Sequence, residues 1–111
     1  MKGTNLGEFE ELVLLVVGVL FDNAYGVSIQ EELFDRCGRK VTLSTIHVAL
    51  HRLEQKEYLE SRFDGATNER GGRRKLLFRV TKSGQLALEH AREMRNGLWR
   101  SIPRAAFKIS V

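Results

Sequence analysis

Residues 42–80, TLSTIHVALHRLEQKEYLESRFDGATNERGGRRKLLFRV, decide how the chain reads. Thr42 has the chemistry of a helix N-cap, and LSTIHVALHRLEQKE behind it carries one apolar and one polar stripe at helical spacing. Leu43, Ile46, Leu50 and Leu53 form the apolar stripe, while Ser44, His47, Val48, His51 and Gln55 fall on the other. Two strand-like runs follow. In Leu59–Phe63, Leu59, Ser61 and Phe63 alternate with Glu60 and Arg62; in the return run Leu76, Phe78 and Val80 share a face. The loop between the runs carries Arg70, Arg73, Arg74 and Lys75, with Gly71-Gly72 to let its tip bend. A polar-faced helix followed by a basic hairpin predicts a winged helix-turn-helix, a shape that suits a DNA duplex.

The flanking segments complete that architecture. Asn5 is a good N-cap with Glu8 three residues on, and Glu8, Glu10 and Glu11 favour the positive end of a helix dipole. The spacing predicts a first helix over Leu6–Phe21, although the β-branched residues in LVLLVVGVLF would also suit a buried strand. A helix apolar all round is buried all round, and a domain this small covers only one of its faces, so Leu12 and Val16 are assigned to a contact with a partner chain. Tyr25, Ile29 and Leu33 recur every four residues and predict a second helix over Ala24–Cys37, stopped by Gly38; Arg39–Val41 reads as extended. Thr81 caps a last helix over Lys82–Ser101, with Leu88, Ala91, Met94, Leu98 and Ile102 on one stripe, and Pro103 ends it. The expected organisation is α+β but mostly α. Residues 1–80 form a winged-helix DNA-binding domain, 81–102 a dimerisation helix using Leu88, Ala91, Met94 and Leu98, and 103–111 a flexible tail.

Composition sets outer bounds. The chain has 111 residues, 42% hydrophobic and 29% charged, enough for one domain with a small core. Its net charge of +4 conceals a split. Residues 1–35 hold one Lys against seven acids, net −6, and residues 36–111 hold seventeen Lys and Arg against seven acids, net +10. This asymmetry predicts a basic face for a polyanion and an acidic region turned away from it. An anionic membrane would satisfy the charge equally well; the order of elements favours nucleic acid. The acidic N-terminus lacks the basic region of a signal peptide. The longest apolar run, Leu12–Phe21, is about half of what a bilayer span needs. A single cysteine, Cys37, fits a reducing compartment, and the expected location is the cytoplasm, with no membrane partner.

Candidate functional residues follow from these placements. Ser44, Thr45, His47, Val48 and His51 would meet base edges in a major groove, the hydroxyls and imidazoles by hydrogen bonds and Val48 through a thymine methyl. Arg70, Arg73, Arg74 and Lys75 would meet phosphates or enter a narrow minor groove. Either set taken alone also reads as an ordinary solvated surface, and it is their succession that favours DNA. His47 and His51 have the i, i+4 spacing of zinc ligands, but Cys37 and His90 belong to other elements, so no metal site is expected. Trp99 reads either as core or interface packing or as a stacking wall for an aromatic effector between two subunits. No nucleophile–base motif, phosphate-cradling glycine loop or carboxylate pair is recognisable, so neither enzymatic activity nor a cofactor is expected. The rival reading is a winged helix used only for protein–protein contact, which would show no salt-dependent duplex binding.

Taken together, LGEFEELVLLVVGVL, NAYGVSIQEEL, VTLSTIHVALHRLEQKEYL and ERGGRRKLLFRVTKSGQLAL, with the closing long helix, resemble the PadR family of bacterial transcriptional regulators over about residues 6–100. The resemblance implies a winged-helix homodimer in which the final helix packs against the partner's first helix. It implies a repressor of nearby genes, often for detoxification or efflux, that is relieved by a small aromatic or drug-like compound; two reading heads on a two-fold axis would meet an inverted repeat of double-stranded DNA. Two positions depart from the family pattern. His47 stands where a Tyr is common, and Glu57 replaces the Gly expected after the recognition helix, where a left-handed residue costs roughly 1 kcal/mol.

Overall fold

A computed structural model describes residues 6–64 and 75–108. Its elements are α1 (Glu8–Leu20), α2 (Gly26–Cys37), α3 (Leu43–Gln55), β1 (Leu59–Phe63), β2 (Leu76–Val80) and α4 (Lys82–Ser101), with 3-10 turns at Phe21–Asn23 and Arg104–Phe107. The three short helices pack on one another around Leu14, Ile29, Leu33, Ile46, Leu50 and Leu53, all fully buried. β1 and β2 pair antiparallel with Leu59 opposite Val80 and Phe63 opposite Leu76. The free edge of β2 is tied to the helices, because the Phe78 N–H donates to the Ala24 carbonyl at 2.8 Å. This is a mostly helical winged helix with a long C-terminal helix.

Several boundaries differ from the sequence expectation, each for a local reason. α1 starts at Glu8, with Gly7 as N-cap; the Gly7 N–H donates to the Glu10 carboxylate at 3.4 Å, and its carbonyl accepts from the Glu11 N–H at 2.9 Å. The expected cap, Asn5, lies outside the described residues. α1 ends one residue early, where Phe21 takes a φ of 54° and turns the chain. α2 begins at Gly26, two residues late, because Ala24 is drawn to the sheet edge and Tyr25 becomes the N-cap. The Ser28 hydroxyl accepts the Tyr25 N–H at 3.0 Å and donates to the Asn23 carbonyl at 2.7 Å, closing that turn. Gly38 stops α2 at a φ of 68°, and the Arg39 N–H reaches back to the Leu33 carbonyl at 3.0 Å.

Leu43, expected on the inner stripe of α3, lies exposed in its first turn, and Ala49 takes the remaining core position. In β1 the expected shared face is uneven: Leu59 is buried, Ser61 half-buried and Phe63 exposed. Only the first half of α4 packs: Gly84, Ala87 and Ala91 are buried and Leu88 is half-buried, whereas Met94, Leu98 and Ile102 are exposed. The segment after Pro103, expected to be loose, makes a 3-10 turn that sets the Phe107 ring 6.0 Å from Trp99.

Candidate nucleic-acid interface

Thr42 starts α3 as the sequence predicts, its hydroxyl accepting the Thr45 N–H at 3.2 Å. The same hydroxyl donates to Thr45 Oγ1 at 3.0 Å and lies 3.2 Å from Ser44 Oγ. Thr42, Ser44 and Thr45 thus gather three hydroxyls at the positive end of the helix, where backbone N–H groups also point outward. Thr42 belongs to this cluster as well as capping the helix; the T-x-S-T spacing was the available signal. Ser44, Thr45, His47, Val48 and His51 are all exposed, on the face opposite the buried Ile46, Ala49, Leu50 and Leu53. The structure therefore brings the five predicted base-reading residues onto one open face.

The hairpin stands beside that face. Pairing continues past β1, where the Asp64 N–H donates to the Lys75 carbonyl at 2.8 Å. Lys75 is exposed, and its ammonium sits 4.3 Å from the centroid of the Tyr25 ring, a cation–π contact that joins the base of the wing to the start of α2. Periodicity places Tyr25 in a helical stripe and gives no sign of this role. Arg70, Arg73 and Arg74 lie outside the described residues.

The expected segregation of acid from base is only partial. Because α1 packs against every other helix, Glu8 pairs with Arg39 at 2.8 Å, Glu10 with Lys56 at 2.7 Å and Glu11 with Arg95 at 2.6 Å. Asp22 reaches Arg79 of β2 at 3.4 Å. The hydrogen bond from Arg39 holds the Glu8 carboxyl below its ordinary pKa and raises that of Arg39 in turn. Among the described residues no three His, Cys, Asp or Glu side chains converge as a metal set would require, and no helix is long and apolar enough to cross a membrane.

The residues assigned to partner contacts divide. Val16 and Ala91 are buried within the chain itself, and Leu12 and Leu88 are half-buried against its core. Met94 is exposed, Leu98 is 66% exposed and Trp99 68%. On α1 the open apolar side chains are Leu15 and Val19, which the sequence pattern does not single out. Leu15 and Leu88 also line a groove of about 380 Å³ between α1 and α4, edged by Glu89, Arg92 and Arg95.

The sequence model of the transcriptional regulator PadR-like family matches residues 13–90. Among solved structures the chain is similar to a PadR family transcription regulator from hypervirulent Clostridium difficile, at 24% identity and a TM-score of 0.69 over 85% of this chain and 93% of that one. It is similar to a PadR family transcriptional regulator from Eggerthella lenta, at 24% identity and a TM-score of 0.69 over 91% of this chain and 88% of that one. It is also similar to RosR of H. salinarum, solved as a complex, at 22% identity and a TM-score of 0.67 over 89% and 78% of the respective chains. At these identities the likeness establishes the fold. No curated protein sequence matches the chain significantly.

Proposed function

Because the chain belongs to the PadR-like family of transcriptional regulators, we propose that it binds duplex DNA as a homodimer and represses transcription until a small aromatic or drug-like compound binds. The observation that carries the DNA reading is the outer face of α3, where Ser44, Thr45, His47, Val48 and His51 stand exposed over a fully apolar inner face, with Lys75 on the adjoining hairpin. α3 lies in the major groove, and its hydroxyls and imidazoles meet base edges. Arg70, Arg73, Arg74 and Lys75 hold the flanking backbone. Two such heads on a two-fold axis read an inverted repeat with half-sites about one helical turn apart.

Relief by an effector is supported by the exposed Trp99, which offers a flat surface beside the apolar stripe of α4. A planar compound stacked there lowers operator affinity only to the extent that it prefers the non-operator spacing of the heads; a tenfold effect needs about 1.4 kcal/mol of preference. Footprinting the purified protein on the DNA upstream of its own gene tests the reading. Protection of an inverted repeat is expected. Replacing Arg73 and Arg74 together by Ala should weaken binding on every sequence and lower the salt slope by about 1 for each phosphate no longer neutralised. Unchanged affinity and slope in that double variant would overturn the docking, and duplex binding absent at any salt would favour a protein-contact module instead.

A further inference from the structure

Gly26 opens α2 with a bare Cα turned toward the recognition helix. A methyl group placed on it would stand 3.1 Å from Nε2 of His47, 3.3 Å from its Cε1 and 3.6 Å from Cδ2 of Leu43. The His47 imidazole therefore lies against the first turn of α2, even though the residue is exposed to solvent. Nothing in the backbone asks for glycine here: Gly38 alone among the described glycines has a positive φ, and alanine is the better helix former. What the missing side chain provides is the last few tenths of an ångström by which the ring settles against α2.

The floor under that ring is held from several sides. Tyr25 is fixed as N-cap by the Ser28 hydroxyl at 3.0 Å, and Ala24 is bonded to Phe78 of β2 at 2.8 Å. Tyr25 also carries the Lys75 ammonium over its ring at 4.3 Å. An exposed histidine on a helix ordinarily samples several rotamers and loses that freedom on docking. Seated on Gly26 with its Nε2–Cε1 edge turned toward α2, the His47 ring has less of that freedom to lose on docking.

We propose that Gly26 is a specificity-positioning residue, whose bare Cα seats the His47 imidazole and so sets the base preference at the base pair His47 reads. This rests on the DNA-binding reading above. The seat itself is tested without DNA. In the NMR spectrum of the free protein, Gly26→Ala should displace the imidazole Cε1–H signal of His47 and leave that of His51 in place; an unmoved His47 signal overturns the proposal.

Specificity is tested by selection from a random duplex library with the wild type, Gly26→Ala, His47→Ala and the double variant. Gly26→Ala should lose about tenfold discrimination at the same base pair as His47→Ala, in line with the value of a single good base contact. Its salt slope should be unchanged and its melting temperature not lowered. In the His47→Ala background the second substitution should change nothing, because the ring it would displace is gone. Unaltered preference in Gly26→Ala overturns the specificity role, and so does a uniform loss at all positions with a lowered melting temperature. A wild type that enriches no sequence overturns the DNA-binding reading and the specificity role with it; the free-protein spectrum decides the seat separately.

Discussion

Glu57 sits at a φ of 67° just past Lys56, the C-cap of α3, in the left-handed region that costs a residue with a Cβ roughly 1 kcal/mol. Its carbonyl nevertheless accepts the Thr81 hydroxyl at 2.7 Å, so the turn is held by the start of α4 and the strain persists. Glu57→Gly keeps that backbone bond and should raise stability by about 0.5–1 kcal/mol, read as a higher urea midpoint at unchanged m-value. A second consequence concerns pH. Glu8 has a lower pKa in the folded chain than in the unfolded one, chiefly through the Arg39 hydrogen bond. Its contribution is therefore complete above the ordinary glutamate range and is lost as pH falls through the lower folded value. Wild type and Glu8→Gln should differ in urea midpoint near neutrality and converge in acid; a gap that widened in acid would contradict this. The exposed faces of His47 and His51 were legible in the sequence, since periodicity assigns a face. Leu43 was misread because periodicity does not assign depth, and the first turn of a helix lies at the edge of the core.

At the level of elements, the contact between the two ends of the reading head is tight. Thr81 caps α4 by accepting the Gly84 N–H at 3.0 Å, and its own N–H donates to the Tyr58 carbonyl at 3.1 Å. Gly84 is pressed so closely to the bend before β1 that a methyl on it would overlap the Tyr58 carbonyl oxygen and stand 3.0 Å from Val80 Cγ1. Backbone on one side and a β-branched side chain on the other leave little to yield. Gly84→Ala should cost about 1–3 kcal/mol, seen as a lower thermal midpoint, despite its gain in helix propensity. Thr81 was readable as a cap from residue type alone, as was Thr42. The starts of α1 and α2 were not, because Gly7 has no side chain to announce a cap and Tyr25 is an unusual one. Contacts such as Lys75 on Tyr25 and His47 on Gly26 join residues far apart in sequence, and no local pattern foretells them.

For the whole molecule, the radius of gyration is 17.2 Å, against about 13 Å for a compact chain of this length. The long dimension is 64 Å, and the second half of α4, a helix of twenty residues and about 30 Å, finds no core: Met94, Leu98 and Trp99 are exposed there, as are Leu15 and Val19 on α1. Apolar surface of this extent on a small chain argues for a second copy, and the two faces are complementary in kind, one on each helix of the proposed exchange. Since Leu98 is 66% exposed in the single chain, an aspartate there should leave the fold of the protomer intact. Buried against a partner it would be an unpaired charge, costing several kcal/mol unless the subunits part. Leu98→Asp should therefore sediment as a folded monomer with the helical circular dichroism of the wild type, while the wild type sediments as a dimer at micromolar concentration. Operator binding should weaken in the variant as well, because each half-site would then be bound singly, without the gain of linkage. A wild type that is already monomeric, or a Leu98→Asp variant that remains dimeric, would remove the exposed half of α4 from the interface. The open apolar face would then require a partner other than this chain.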